Sequence, residues 1–222
     1  MGEKSRAGVV ALVSGGLDSL LLVQRLLRTH RIIAPLYVRC GLVWESVELF
    51  WLKRWLAQIR HPRLMGLTVF TIPLASVYQD HWSLTGRGVP SSASTDAAVY
   101  LPGRNVLLLS YAAIHAVRQG FSAIALGTLA GNPFGDARPS FFKRFSRCLS
   151  QALAHPLQMT TPLRRWTKAR LITSAPAQPF HLTFSCLRPH GRRHCGRCNK
   201  CAERRRAFHE SGVPDPTSYA NA

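Results

Sequence analysis

The chain has 222 residues, 46% of them hydrophobic, and a formal net charge of +19. That length and apolar content suit one domain with a buried core and exclude a disordered chain. No run approaches the roughly 18 apolar residues of a membrane span.

Taken in chain order, the segments alternate between strand and helix patterns. The residues before Gly8 show no cleavage-site pattern, so a cytoplasmic protein without signal peptide or membrane anchor is expected. Met1-Gly2 matches only the start of an acylation signal. Residues 8–13 read as a strand and 18–28 as an apolar helix. A second strand over 32–38 precedes a helix over 45–59, whose Val47, Leu49, Trp51, Leu52, Trp55 and Leu56 fall near one face. Residues 67–72 read as a strand and 106–117 as a helix, in which His115 is expected to pack in the core. Residues 123–126 read as a strand and 140–153 as a helix. This order predicts an α/β fold: a doubly wound, Rossmann-like parallel sheet with helices on both faces. Residues 75–100, rich in Ser, Gly and Thr, are too long for a plain connection and read as a lid or a disordered loop. The tail from Pro214 reads as frayed.

Three blocks carry chemistry. In Ser14-Gly15-Gly16-Leu17-Asp18-Ser19 the first strand turns into a helix, where glycines admit an anion to the backbone and the helix dipole favours phosphate. Ser14 and Ser19 add hydroxyl donors, and Asp18 either caps the helix or holds Mg2+. Pro102-Gly103-Arg104-Asn105 opens a later helix, with Arg104 offering a bidentate phosphate fork and Asn105 a cap or a base or ribose contact. The third block is Cys186-x8-Cys195-Gly-Arg-Cys198-Asn-Lys-Cys201. Four clustered cysteines in a cytosolic chain point to Zn2+ rather than disulfides, with His190 and His194 as possible substitutes. A small C-terminal zinc-binding lobe over 174–222, built on those four cysteines, would then join a nucleotide-binding domain over 1–173 in one compact unit.

The charge is uneven. Residues 138–170 hold eight basic residues and no acidic one, and 186–212 hold eight against two glutamates. Such a field favours nucleic acid or other polyanions, and an arginine-rich solvated surface gives the same balance.

SGGLDS resembles the signature of the PP-loop ATP pyrophosphatases, which cleave ATP to AMP and pyrophosphate while adenylating a substrate. With PGRN, Thr161-Pro162-Leu163 and the closing CGRCNKCAERRRAF, the chain resembles the 7-cyano-7-deazaguanine synthase family almost throughout. The resemblance implies ATP, Mg2+ and a structural zinc on Cys186, Cys195, Cys198 and Cys201, and a homodimer is common in that family. It implies conversion of 7-carboxy-7-deazaguanine and ammonia to the nitrile, through an adenylated acid and then an adenylated amide, within queuosine biosynthesis. Ser14, Gly15, Gly16, Leu17, Asp18, Ser19, Gly103, Arg104, Asn105 and Gly127 would bind ATP. Ser14, Asp18, Ser19 and Arg104 would assist the chemistry, together with Lys168 unless that is a surface lysine at a helix end. Asp136 and Arg138 either contact substrate or Mg2+ or form a solvent ion pair.

Two segments depart from the family. Its usual Gly-Gln-Arg-His turn is replaced by Cys40-Gly41-Leu42-Val43-Trp44, with Glu45 and Glu48 behind it. Its Ser-Gly-Tyr-Pro-Asp-Cys-Arg run is replaced within residues 127–142, where only Asp136 and Arg138 match. Three other readings therefore stay open: tRNA thiolation using Cys40 or Cys148, a deazaguanine-conjugating enzyme with a macromolecular acceptor, and a non-catalytic nucleic-acid-binding module.

Overall fold

The structure, a computed structural model, describes residues 8–175 and 177–220. The readings of the first residues, Met1-Gly2 included, lie outside them. Five strands form one all-parallel sheet: β1 (Gly8–Leu12), β2 (Ile32–Arg39), β3 (Thr68–Thr71), β4 (Ala123–Ala125) and β5 (Gln158–Thr160). Their spatial order is β3-β2-β1-β4-β5. Both faces are covered, as buried parallel strands require. Alternate residues of β1 enter opposite cores: Val10 joins Leu36, Leu109 and Ile124, whereas Val9 and Ala11 join Leu20, Trp55 and Phe208.

The helices are α1 (Leu17–Leu26), α2 (Glu45–Gln58), α3 (Ala75–Tyr78), α4 (Trp82–Thr85), α5 (Arg104–Arg118), α6 (Pro139–Ala152), α7 (Lys168–Ser174) and α8 (Asn199–Ser211). Buried apolar residues of α5 and α6 pack on one face and those of α1, α2 and α7 on the other, while α8 gives Cys201 to the first and Ala207 and Phe208 to the second. The expected doubly wound architecture is therefore present. Pro35 sits within β2, opposite Ala11 of β1, where a missing amide would normally cost a ladder bond. Pairing with β3 begins only at Leu36, and Ile33 donates to Arg63 O on that side. The position of Pro35's absent N–H thus faces a gap in the sheet.

Residues 174–222 contribute to both cores: Cys186 and Cys201 to one, Phe180 and Phe208 to the other. The tail is not frayed over its described residues. Tyr219 bridges to His194, and Ala220 N donates to His194 O at 2.7 Å. Residues 75–100 are ordered as α3, α4 and a 3-10 turn (Asp96–Val99), and are tied to the cysteine segment by a bridge from Ser91 to Cys198. His115 is buried against the edge of Phe70, as its apolar surroundings predict.

Candidate active site

The chain runs from β1 outward to β3, then returns to β4 and β5, so the loops after β1 and β4 part at the carboxyl end of the sheet. Such a switch point opens a crevice. Here it is a cavity of about 640 Å3 lined by Ser14, Gly16, Asp18, Ser19, Arg104, Asn105, Gly127, Asp136 and Lys168, among others. Gly15, Leu17, Gly103 and Arg138 do not line it.

The two loop glycines have separate tasks. A Cβ on Gly15 would lie 2.7 Å from Glu48 O, so this glycine lets the loop press against α2. A Cβ on Gly16 would meet little beyond Ser14 Oγ, and Gly16 leaves the α1 N-terminus open to the cavity. No side chain caps α1 at Gly16. Its first-turn amides have no intrahelical acceptors and are suited to an anion. Ser19 Oγ accepts from Ser14 N at 2.8 Å and lies 3.1 Å from Ser14 Oγ, which fixes both hydroxyls.

Asp18 does not cap α1. Its Oδ2 lies 3.4 Å from Lys168 Nζ, while its Oδ1 is buried without a partner. Burial raises the Asp18 carboxyl above the usual range, opposed by Lys168. An orphaned carboxylate oxygen in a cavity fits a divalent cation, and Mg2+ takes such oxygen ligands.

Lys168 is no free surface lysine. It reaches Glu203 Oε1 at 2.5 Å, and Lys200 reaches Glu203 Oε2 at 2.6 Å. Burial disfavours the Lys168 charge, yet Asp18 and Glu203 outweigh it and keep its pKa above the ordinary lysine value. Burial alone would raise Glu203, but Lys168 and Lys200 hold its carboxyl at about 2. Its ordinary value of 4.5 is higher, so this pairing stabilises the fold fully above about pH 4.5, and the gain is lost as pH falls toward about 2. Stability measured across that window should fall by on the order of 3 kcal/mol, and Glu203→Gln should flatten the fall.

Gly103, with φ of 69°, turns the chain into α5. Arg104 Nε is buried without a partner, leaving donor capacity for a ligand. Asn105 donates through N and Nδ2 to Asp136, so Asp136 anchors the start of α5 and is not spent on an ion pair with exposed Arg138. Behind the cavity, Tyr37 donates to Glu48 at 2.7 Å, and burial and that carboxylate keep the phenol protonated. Burial likewise raises Glu48, with Tyr37 and Arg104 opposing. Glu45 accepts from the Cys40 and Gly41 amides and shapes the turn after β2.

Glu203, Lys200 and Arg206 line the cavity and were not singled out by the sequence. The i,i+3 spacing of Lys200 and Glu203 was the one readable hint. Aromatic rings form part of the wall: Trp44 stacks on Trp82 at 5.7 Å, and Tyr100 on Phe134 at 4.8 Å. Cys40 is fully buried outside the lining, where burial raises its thiol, and Cys148 is exposed.

Beside the cavity, the Sγ atoms of Cys186, Cys195, Cys198 and Cys201 all lie within 4.8 Å of one another. Three separations are 3.5, 3.9 and 3.9 Å. Four Zn–S bonds of about 2.3 Å in a tetrahedron put sulfurs about 3.8 Å apart. Backbone amides of Leu187, Arg188, Cys195 and Arg197 donate to these sulfurs, which suits thiolates. The set fits zinc. His194 is not needed, since its Nε2 accepts from Ser185 N at 3.2 Å, and His190 is exposed.

A parallel sheet feeding SGGLDS into a switch-point cavity, with a four-cysteine centre alongside, defines an α/β protein of the PP-loop class. The family model described as Queuosine biosynthesis protein QueC matches residues 8–212, and the chain belongs to that family. A 7-cyano-7-deazaguanine synthase from Rhizobium leguminosarum is 32% identical over 220 residues, covering 95% of this chain and 91% of that protein. One from Anaeromyxobacter dehalogenans is 38% identical over 144 residues, 61% of this chain and 62% of that protein. The second match thus spans less than two thirds of that relative's length. Synthase relatives mark the chain as an enzyme of queuosine biosynthesis. Among the described residues, no helix is long and apolar enough to cross a membrane.

Proposed function

We propose that the chain is a 7-cyano-7-deazaguanine synthase, an AMP-forming carbon–nitrogen ligase acting on 7-carboxy-7-deazaguanine, ATP and ammonia. The observation that carries this reading is the convergence of Ser14, Gly16, Asp18, Ser19, Arg104 and Lys168 on one cavity. The names of its relatives supply the substrate class.

A carboxylate resists attack by ammonia because oxide would have to leave. Its oxygen attacks the α-phosphorus of ATP, pyrophosphate departs, and the resulting acyl adenylate carries AMP as a good leaving group. The α1 amides and the Ser14 and Ser19 hydroxyls receive the pyrophosphate, and Arg104 and Lys168 offset its charge. Asp18, through its unpartnered Oδ1, would hold Mg2+, which supplies further charge neutralisation on the phosphates. Ammonia displaces AMP to give the amide and releases a proton. The amide oxygen then attacks the α-phosphorus of a second ATP, pyrophosphate and one amide proton leave, and loss of AMP and the second amide proton leaves the nitrile. Trp44, Trp82, Tyr100 and Phe134 offer flat apolar faces to a heterocycle.

A thiolation reading would need a sulfur-carrying thiol in the cavity. Among the described residues that line it there is no cysteine. The deciding experiment measures AMP and pyrophosphate release with ammonia, in the presence and absence of 7-carboxy-7-deazaguanine. Release should depend on that acid and yield the nitrile. ATP cleavage indifferent to it would discard the reading.

A further inference from the structure

A second groove lies beside the catalytic cavity, on the free edge of the sheet. It runs between α6 and β5 and is lined by Lys143, Arg147 and Arg164, with Gln158 and Thr161 among its polar groups and Phe142 and Met159 on its floor. Lys143, Arg147 and Arg164 are exposed, and among the described residues no carboxylate pairs with any of them. Lys143 and Arg147 stand one helical turn apart on α6, with Cβ atoms about 6 Å from each other. The parallel register commits Gln158 and Thr160 to β4, which leaves the backbone groups of Met159 on the unpaired edge. The whole stretch 138–170 carries eight basic residues and no acidic one.

We propose that this groove docks the sugar–phosphate backbone of a polynucleotide. Three exposed cations lining one groove, unopposed by acids, complement the phosphates of a polynucleotide backbone. A second copy of the chain is a poor occupant of this edge. Two-fold pairing of β5 with its own copy would bring both sets of Lys143, Arg147 and Arg164 together without counter-charge. An acidic lipid surface is also disfavoured, because the exposed large hydrophobic side chains lie elsewhere, at positions such as Val77, Val106 and Ile114. The proposal is independent of the ligase reading, since none of the three cations lines the catalytic cavity.

The test measures fluorescence anisotropy of a labelled single-stranded RNA, and of the DNA of the same sequence, over a salt series. The triple variant Lys143→Gln, Arg147→Gln, Arg164→Gln should bind ~10- to 100-fold more weakly at low salt, with the slope of log K against log salt reduced by about 2. Whichever strand binds tighter identifies the sugar preferred. AMP formation from the free acid should be unchanged. A control triple, Arg28→Gln, Arg31→Gln, Arg60→Gln, removes equal charge near the amino ends of the strands and should leave the slope alone. Equal loss in the control would reduce the effect to the overall +19 field and overturn the proposal. So would no binding by the unaltered protein, a loss of self-association in the triple variant on sedimentation, or a loss of binding to acidic vesicles alone.

Discussion

Replacing Lys168 by methionine is expected to lower kcat for pyrophosphate release at least ~100-fold, the usual cost of losing one preorganised charge at a transition state. Methionine keeps most of the side-chain volume, so the loss is chiefly one of charge. Lys168 opens α7 and joins Asp18 of α1 to Glu203 of α8, so one ammonium ties three helices at the cavity wall. Its charge is fixed by those carboxylates throughout the neutral range. In the proposed reaction it would therefore serve as a permanent cation for a departing anion and not as a proton donor. The variant should lose kcat with little change in pH profile, and Lys168→Arg should recover part of the rate. A purely structural clamp predicts otherwise. Lys168→Met would then lower the melting temperature while the remaining folded enzyme kept kcat within about threefold, and the assignment would fail.

What could be read in advance follows a physical division. The glycine loop, the four cysteines and the long apolar strands show their chemistry in local pattern, and the fold places them as that pattern implies. The misses share one cause, polar residues in buried positions whose partners are distant in sequence. On α2 the buried face is Glu45, Glu48, Leu52 and Trp55. Two of those four are acids, held by Cys40, Gly41 and Tyr37, and the predicted apolar face includes neither. On α8 the inward positions include Arg204, which is buried because Thr183, Phe180 O and Thr217 accept its donors. A core arginine disguises the helix as a solvated basic run. The second strand beyond the switch point, β5, is only three residues long and gives no periodic signal. The disguised helix carries Lys200 and Glu203, so the loop was legible and the network that supports Lys168 was not.

Loss of the four-cysteine site should be the most damaging single change, because the cysteine turn also fastens the segment 90–95. Ser91 pairs antiparallel with Cys198, Ser92 N donates to Arg197 O at 2.9 Å, and Asn199 N donates to Pro90 O at 3.0 Å. Asn199, buried between two of the cysteines, adds Nδ2 to Ser94 O at 2.9 Å. The segment so fastened leads directly into Asp96, Val99 and Tyr100 of the cavity wall. Two residues beyond Cys201 stands Glu203, which orients Lys168. Metal binding at such a site is folding energy, and four buried thiols without an ion have little reason to stay together. Cys198→Ser should therefore lose bound zinc by metal analysis, lower the melting temperature by at least about 10 °C and expose residues 86–95 to protease. Asn199→Ala separates the two effects. It should retain zinc and most of the stability, yet raise KM and admit protease to the same segment. If Cys198→Ser loses its metal while that segment stays protected and KM is unchanged, the cysteine centre stabilises only its own turn. The segment must then be held from the α3–α4 side, where Tyr78 already donates to Pro102 O at 2.8 Å.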